Sequence, residues 1–235
     1  MKKIAFFVEG LTEQMFVEQL LLEAANAHDI VIEKRKAFGG GASCFPRRLR
    51  LIEAVKPTTD AKYYALIVDC STDSRVKSDI RERYDGLCRA NFSSVVGLRD
   101  VYPNTRDQIP RLRRNLGYGI PTRPIPVAII LAIMEIEAWF LAEQSHFARI
   151  APQLTSQVVQ TTLGFDPATY DVELRNHPSQ DLDAVYRVAN YRYIKTRNSI
   201  QRTVTSLDYA DLYLNVCRRL QSLQDLLNQI DSFLN

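Results

Sequence analysis

The sequence lacks the marks of several common protein classes. Its four cysteines are widely spaced and form no CxxC pair, which argues against structural zinc and a disulfide framework and suits a reducing cytoplasm. The longest apolar run after the start of the chain, from Ile125 to Met134, is too short to span a bilayer, so we expect no membrane contact. A net charge of +3 is too small to mark a nucleic-acid-binding protein by itself. Any basic surface must therefore come from local clusters.

Signatures of nucleotide binding and of histidine-bound metal are missing as well. The glycine run at 39–41 is not followed by the GK[ST] ending of a Walker phosphate loop. The three histidines, His28, His146 and His177, have no partner at ligand spacing. We therefore expect all three to be structural.

The chain opens with its most informative stretch, in which Ile4–Val8 reads as a strand buried on both faces. Glu9 then ends the strand, at the place where open α/β sheets bind their ligands, and a carboxylate there needs a partner or a metal. We expect Gly10 to permit a tight turn and Thr12 to cap the helix that follows. Glu13, in the first helical turn, either shares the crevice with Glu9 or complements the helix dipole.

Two later strands also run into acids. The strand over 63–68 is followed by Asp69 and Asp73, and the strand over 127–134 by Glu135 and Glu137. Three apolar strands that each end in an acid predict carboxylates converging on one edge of a sheet. A bound divalent cation neutralises such a group most directly. The competing interpretation is three unrelated surface acids.

The remaining pattern alternates strands and helices, which indicates a mostly parallel sheet with helices on both faces. Further strands are predicted at 30–38 and 94–102, and helices at 45–56, 75–91, 104–116, 152–163, 181–189 and 208–233. The fold class is therefore α/β and Rossmann-like with a C-terminal helical extension. We expect an α/β core at 1–145 and a helical extension at 146–235, packed together as one structural domain.

Local clusters of arginine and lysine suggest contact with DNA or RNA. Tyrosines are interleaved with the cluster between Arg187 and Arg202, and such groups can follow a phosphate backbone and stack bases. The alternative is that these charges are solvated helix faces. The candidate contacts are Arg47, Arg48, Arg50, Arg99, Arg192 and Arg197.

Several of these segments resemble known motifs. Val8-Glu9-Gly10-Leu11-Thr12-Glu13 resembles the EGxTE motif of toprim domains, the catalytic modules of topoisomerases, bacterial primases and OLD-type nucleases, and Val68-Asp69 resembles the strand that carries their DxD motif. More narrowly, the chain resembles the bacterial toprim-like family known as domain of unknown function 4276. That resemblance rests on the first motif together with residues 97–100, 135–142 and 193–196. The departure from the toprim pattern is Ser71 in place of the second aspartate, the next acid being Asp73.

Hard oxygen ligands without histidine or cysteine suit Mg²⁺ or Mn²⁺ rather than zinc. The candidate ligands are Glu9, Asp69, Asp73, Glu135 and Glu137. The resemblance implies that Glu9 is either a ligand or a general base, with Glu13 as a further catalytic candidate. It also implies that Lys195 stabilises a charged transition state, and that an ABC-type ATPase encoded as a separate chain is a partner in phage defence.

Three functions stay open at this point. The first is a metal-dependent nuclease acting on DNA or RNA. The second is a catalytically reduced toprim module that binds nucleic acid or a partner protein, for which Ser71 is an argument. The third is a primase-type transferase, although the sequence offers neither a Walker motif nor a zinc module.

Overall fold

A computed structural model of the chain describes residues 1–25, 29–40, 47–54 and 61–235. The chain divides into two compact units. Unit 1 consists of Met1–Arg99, Ile109–Leu131 and Asn228–Asn235, and unit 2 of Asp100–Gln108 and Ala132–Leu227. The division into 1–145 and 146–235 stays a prediction.

A six-stranded sheet in the order β3-β2-β4-β1-β5-β6 is the main feature of the fold. Its strands are β1 (Lys2–Val8), β2 (Ile30–Phe38), β3 (Arg48–Ala54), β4 (Tyr63–Asp69), β5 (Ser94–Asp100) and β6 (Val127–Ala132). Strand β1 pairs in parallel with β4 and β5, and β2 pairs in parallel with β4, whereas β3 runs antiparallel to β2. The predicted α/β, Rossmann-like class with a mostly parallel sheet flanked by helices is confirmed.

The central strand β1 is apolar because it lies between β4 and β5 and is covered on both faces. Every residue of Ile4–Val8 is completely buried. The unit 1 helices are α1 (Leu11–Ala24), α2 (Val76–Arg89) and α3 (Ile109–Gly117). Helix α2 approaches β5 closely at Gly97, where a Cβ atom would lie only 3.0 Å from Ile80 and 3.1 Å from Val76. Packing therefore favours glycine there, since a larger residue would displace the ends of these side chains by a few tenths of an ångström.

The start of α1 differs from the prediction. The helix begins at Leu11, so Gly10 and not Thr12 is its N-cap residue. The φ angle of Gly10 is −159°, which is extended backbone that any residue can adopt. The prediction that the chain needs glycine here for a tight turn is therefore wrong.

The helix predicted over 45–56 is also wrong, because Arg48–Ala54 forms the edge strand β3. From Arg48 to Leu51 arginine and leucine alternate with a period of two, which suits a strand, and pairing with β2 decides the outcome. Residues 45, 46, 55 and 56 lie outside the described residues.

Unit 2 is built from helices. They are α4 (Glu137–Ala142), α5 (Ser145–Ile150), α6 (Ser156–Leu163), α7 (Pro178–Val188), α8 (Arg197–Ser206), α9 (Tyr209–Leu214) and the first part of α10 (Gln221–Leu234). The single helix predicted over 208–233 is thus divided, and the break lies at Asn215, whose side-chain amide donates to Asp211 Oδ1 at 2.8 Å. The predicted apolar face is nevertheless buried, at Leu212, Val216, Leu220, Leu223 and Leu227.

A buried polar network lies inside unit 2. The Nε2 atom of His146 lies 3.0 Å from the hydroxyl of Tyr186, which is itself 3.0 Å from Thr203 Oγ1. Complete burial lowers the pKa of His146 to about 4. His146 is therefore a neutral core residue, as predicted, while His177 is exposed and His28 lies outside the described residues.

Within the described ranges, none of the helices has the length and apolar character needed to cross a membrane.

The stability of the protein should depend on pH through His146. The unfolded chain binds a proton at this residue near its ordinary pKa of 6.5, and the folded chain binds it only near pH 4. The stabilisation by neutral His146 is therefore complete above pH 6.5 and is lost as the pH falls towards 4. Relative to His146→Gln, the wild-type free energy of unfolding should fall by about 2–3 kcal/mol between pH 7.5 and 4.5 in urea titrations. The exposed control His177→Gln should follow the wild type, and equal pH slopes for wild type and His146→Gln would contradict this account.

Candidate functional site

Two of the predicted acids lie at the same edge of the sheet in unit 1. In the parallel pairing of β1 and β4, Val8 is opposite Asp69, and the Cys70 N–H donates to the Val8 carbonyl at 2.8 Å. Asp69 is therefore the last residue of β4, and Glu9 comes directly after β1, the neighbouring strand. Both lie at the carboxyl ends of these central strands. This is where open parallel sheets hold ligands.

Asp69 is buried and its two carboxylate oxygens have different partners. Its Oδ1 accepts the Ser71 N–H at 2.7 Å, and its Oδ2 lies 3.1 Å from Lys36 Nζ. Ser71 has a φ of +68° and donates its hydroxyl to the Ala37 carbonyl at 3.2 Å, so it shapes the turn after β4. Lys36 supplies the charge that the buried aspartate requires.

Asp73 is paired with another predicted site residue. Arg99 Nη2 donates to Asp73 Oδ2 at 2.7 Å, and the arginine is only 5% exposed. Arg99 is thus directed at a carboxylate of unit 1 and is not displayed to solvent.

Glu13 acts on the start of its own helix. Its Oε2 accepts the N–H of the N-cap residue Gly10 at 2.8 Å, which is half of a capping box. Of the two roles that the sequence left open for Glu13, this geometry favours the one at the helix start.

Glu135 and Glu137 belong to unit 2 and follow a strained residue, Met134, whose φ is +60°. Glu135 accepts both the backbone N–H and the hydroxyl of Ser179, each at 2.9 Å. Ser179 lies in the first turn of α7, a helix whose N-cap His177 makes no side-chain cap. Glu135 therefore completes the N-terminus of α7 and complements its dipole.

Glu137 is completely buried and is the acid with the most unusual surroundings. Its Oε1 accepts the Tyr193 hydroxyl at 2.8 Å and lies 3.0 Å from Lys195 Nζ. Its Oε2 is buried without a hydrogen-bond partner among the described residues. Lys195 Nζ also lies 3.5 Å from Glu135 Oε1, and this lysine holds a left-handed backbone with φ +53°.

The protonation of this group follows from burial and charge. Burial raises the pKa of Glu137, and the ammonium group of Lys195 opposes that rise. Burial alone would lower the pKa of Lys195, but the carboxylates of Glu137 and Glu135 outweigh it and raise that pKa. Lys195 is therefore a firmly protonated cation beside a carboxylate that is costly to ionise.

The candidate arginines differ in what they can reach. Arg47 is tied to buried Asp79 at 2.6 Å with a side chain that is 8% exposed, so it serves the core. Arg48 and Arg50 are exposed on β3. The other two candidate arginines, Arg192 and Arg197, belong to unit 2 and are both exposed. Arg192 also forms an ion pair with Asp183 at 2.9 Å.

Sequence reasoning missed the pairing of Lys36 with Asp69 and the role of Asp183. Lys36 is opposite Asp69 in the parallel register of β2 and β4, a relation that no local pattern reveals. Asp183 binds Arg187, four residues later on α7, and this spacing is a signal that the sequence does contain.

The donors suit a hard divalent cation. Within the part of the chain that the structure describes, no group of three or more His, Cys, Asp or Glu residues could hold a metal ion. Mg²⁺ commonly takes one or two protein carboxylates and completes its shell with water and substrate phosphate. Glu9 and Asp69, at the paired strand ends, are oxygen donors of the kind that Mg²⁺ takes and not the nitrogen or sulfur donors of a zinc site. The convergence of Glu9, Asp69 and Glu137 on one cation stays a prediction.

Comparison with known proteins gives a single finding. A family model described as "Domain of unknown function (DUF4276)" matches residues 8–231. No curated protein and no solved structure matches the chain significantly.

The role of Glu13 can be separated from catalysis by two substitutions. Glu13→Ala removes the acceptor for the Gly10 N–H and should lower the free energy of unfolding by about 1 kcal/mol, whereas Glu13→Gln keeps an acceptor and should cost much less. Urea denaturation at pH 7 measures both. Equal losses for the two variants would contradict the capping role.

The pair formed by Lys195 and Glu137 should show strong coupling. Lys195→Met leaves a buried carboxylate without its cation and should destabilise unit 2 by about 1–3 kcal/mol, less than for a fully buried pair because the lysine is partly exposed. Adding Glu137→Gln should restore most of that loss in a double-mutant cycle of urea midpoints. The control Arg197→Met, at an exposed cation of the same segment, should change stability by less than about 0.5 kcal/mol. Additive losses from the two substitutions would show that the pair is not coupled.

Proposed function

Because the chain belongs to the DUF4276 family, whose description assigns no reaction, we propose from its side chains that it is a metal-dependent nuclease acting on DNA or RNA. The observation that carries the proposal is the placement of Glu9 and Asp69 at the carboxyl ends of adjacent parallel strands. Two carboxylates at that edge are a natural seat for a divalent cation and the phosphate it recruits.

The ion would be Mg²⁺ or Mn²⁺, with Glu9 and Asp69 as the main ligands in unit 1 and Asp73 as a further candidate. Glu137 and Glu135 are the candidate ligands that unit 2 offers. When bound, such an ion supplies neutralisation of phosphoryl charge and a water of lowered pKa.

The chain's own groups account for the rest of the chemistry. Glu9, if it is not a ligand, would accept a proton from an attacking water. Lys195 is held protonated by Glu137 and Glu135 and can stabilise charge on the phosphoryl oxygens or on the leaving oxygen. Tyr193 holds the Glu137 carboxylate in place through its hydroxyl.

The setting of this activity is part of the same proposal. The relationship to toprim domains, the role in phage defence and the separate ABC-type ATPase partner rest on the resemblance of the motif from Glu9 to Glu13. A cytoplasmic location agrees with the cysteines that the structure describes, since Cys70 and Cys88 form no disulfide bond among those residues.

A second function is favoured by a specific observation. Four of the candidate acids already have a cation at hydrogen-bond distance: Asp69 has Lys36, Asp73 has Arg99, and Glu135 and Glu137 share Lys195. A chain whose acids are neutralised by its own side chains can bind nucleic acid or a partner protein without turnover. Ser71 at the second aspartate position of the toprim pattern supports that alternative.

The deciding experiment titrates Mg²⁺ and Mn²⁺ against labelled single- and double-stranded DNA and RNA. We expect metal-dependent cleavage that falls by at least about a hundredfold in Glu9→Gln and in Asp69→Asn. The matched control Glu23→Gln, which changes an exposed carboxylate near the end of α1, should keep full activity.

Other outcomes assign the protein differently. Binding without cleavage under any metal supports the reduced module, and product that forms only with added nucleotides supports a transferase. Cleavage that persists in both Glu9→Gln and Asp69→Asn would remove the strand-end acids from the chemistry.

A further inference from the structure

A cavity of about 360 Å³ lies within unit 2, beside Lys195. One wall is a face of α7, where Ser179, Asp183 and Arg187 follow one another at spacings of four residues. The other wall is formed by Tyr193 and Lys195. The nine residues from Ser179 to Arg187 extend over roughly 12 Å of helix.

The charged groups that are exposed at the cavity are mainly cations. Arg187, Arg192 and Lys195 are exposed, whereas the carboxylates near them, Asp183, Glu135, Glu137 and Asp100, are buried. Arg197, two residues after Lys195, is exposed as well. Arg187, Arg192 and Lys195 keep 59%, 54% and 42% of their side chains exposed, so they can reach a phosphate while they remain ion-paired. This is the arrangement that follows a nucleic-acid backbone.

The segment that forms the second wall is held in place before any ligand arrives. Asp183 binds Arg187 and Arg192 and also accepts the Tyr193 N–H at 2.8 Å. The segment is bounded by two non-glycine residues with left-handed backbone, Asn190 at φ +60° and Lys195 at φ +53°. A preformed wall loses little conformational entropy when it binds.

An aromatic platform stands at the start of this segment. The Tyr191 side chain is 39% exposed, and the Arg202 guanidinium lies 4.5 Å from its ring centre. The Arg202 Nη1 atom is buried without a hydrogen-bond partner among the described residues. An exposed ring braced by a guanidinium is a stacking surface for an unpaired base.

From these observations we infer that unit 2 binds the substrate as a single strand, with one nucleotide in the cavity beside Lys195 and a neighbouring base stacked on Tyr191. An intact duplex is disfavoured in this arrangement, because its bases are paired and stacked and one of them would first have to be unpaired and unstacked. The inference rests on the proposed nuclease function, since it names the form of the substrate that this function would act on. The competing explanation is that the arginines only brace α7 through Asp183.

The test measures binding apart from cleavage. Fluorescence anisotropy of the full chain in EDTA, with a labelled ten-nucleotide thymidine strand and a labelled twenty-base-pair duplex, should show at least about tenfold tighter binding of the single strand. Tyr191→Ala should weaken single-strand binding by about tenfold or more, and Tyr191→Phe should retain it. The control Tyr118→Ala, at a tyrosine of unit 1 that is 83% exposed, should bind like the wild type.

A charge variant keeps the test decisive if Tyr191→Ala does not fold. Arg197→Gln should weaken binding of the single strand. It should also reduce the slope of log affinity against log salt concentration by about one. Equal affinity for duplex and single strand, or Tyr191→Ala and Arg197→Gln variants that bind like Tyr118→Ala, would overturn the inference.

The same data separate this inference from the nuclease function. A chain that prefers single strands in EDTA yet never cleaves with metal keeps the inference and removes the nuclease. A chain that cleaves through Glu9 but shows no preference for single strands does the opposite.

Discussion

Neutralisation of buried carboxylates by the chain's own cations is the constraint that shapes both units. A carboxylate removed from water must be paired or hydrogen-bonded, because leaving it charged and alone costs several kcal/mol. The structure meets this requirement with Lys36 for Asp69 and Lys195 for Glu137, and in the same way Asp73 neutralises the buried guanidinium group of Arg99. Each pair joins residues from distant parts of the sequence. Together the pairs determine which charged groups are displayed at the ends of the strands and in the α7 region.

The same constraint defines what a bound metal would have to do. Lys36 is 53% exposed at its side chain, so it can leave Asp69 and return to water at little cost. Arg99 is 6% exposed at its side chain and has no such freedom. A divalent cation that arrives at the β1 and β4 ends would therefore compete with Lys36 for Asp69 and leave the pair of Asp73 and Arg99 intact. This difference favours Asp69 over Asp73 as a ligand.

The sequence predicted the parallel strands and the acids at their ends, because uninterrupted apolar runs occur where a strand is covered on both faces, as in Ile4–Val8. It failed at Arg48–Ala54, where the arginines obscured a period of two and a non-local partner strand decided the conformation. It also could not supply the cation partners. The contact of Lys36 with Asp69 depends on the register between two strands, and that of Lys195 with Glu137 on a backbone turned by a left-handed residue. Such contacts arise only when the chain is folded.

An unpartnered buried oxygen is not by itself a sign of function, as a second example in the structure shows. Asp79 Oδ2 is also buried without a hydrogen-bond partner, yet Asp79 is held by Arg47, whose side chain is 8% exposed, and by Arg83, at 17%. No ligand can reach that carboxylate without opening the core. Glu137 differs because its cation, Lys195, is 42% exposed and lines a cavity of about 360 Å³. The desolvated Glu137 carboxylate and the strained backbone of Lys195 therefore lie next to solvent, where a phosphate could bind the lysine. This access from solvent separates a candidate site from a buried ion pair.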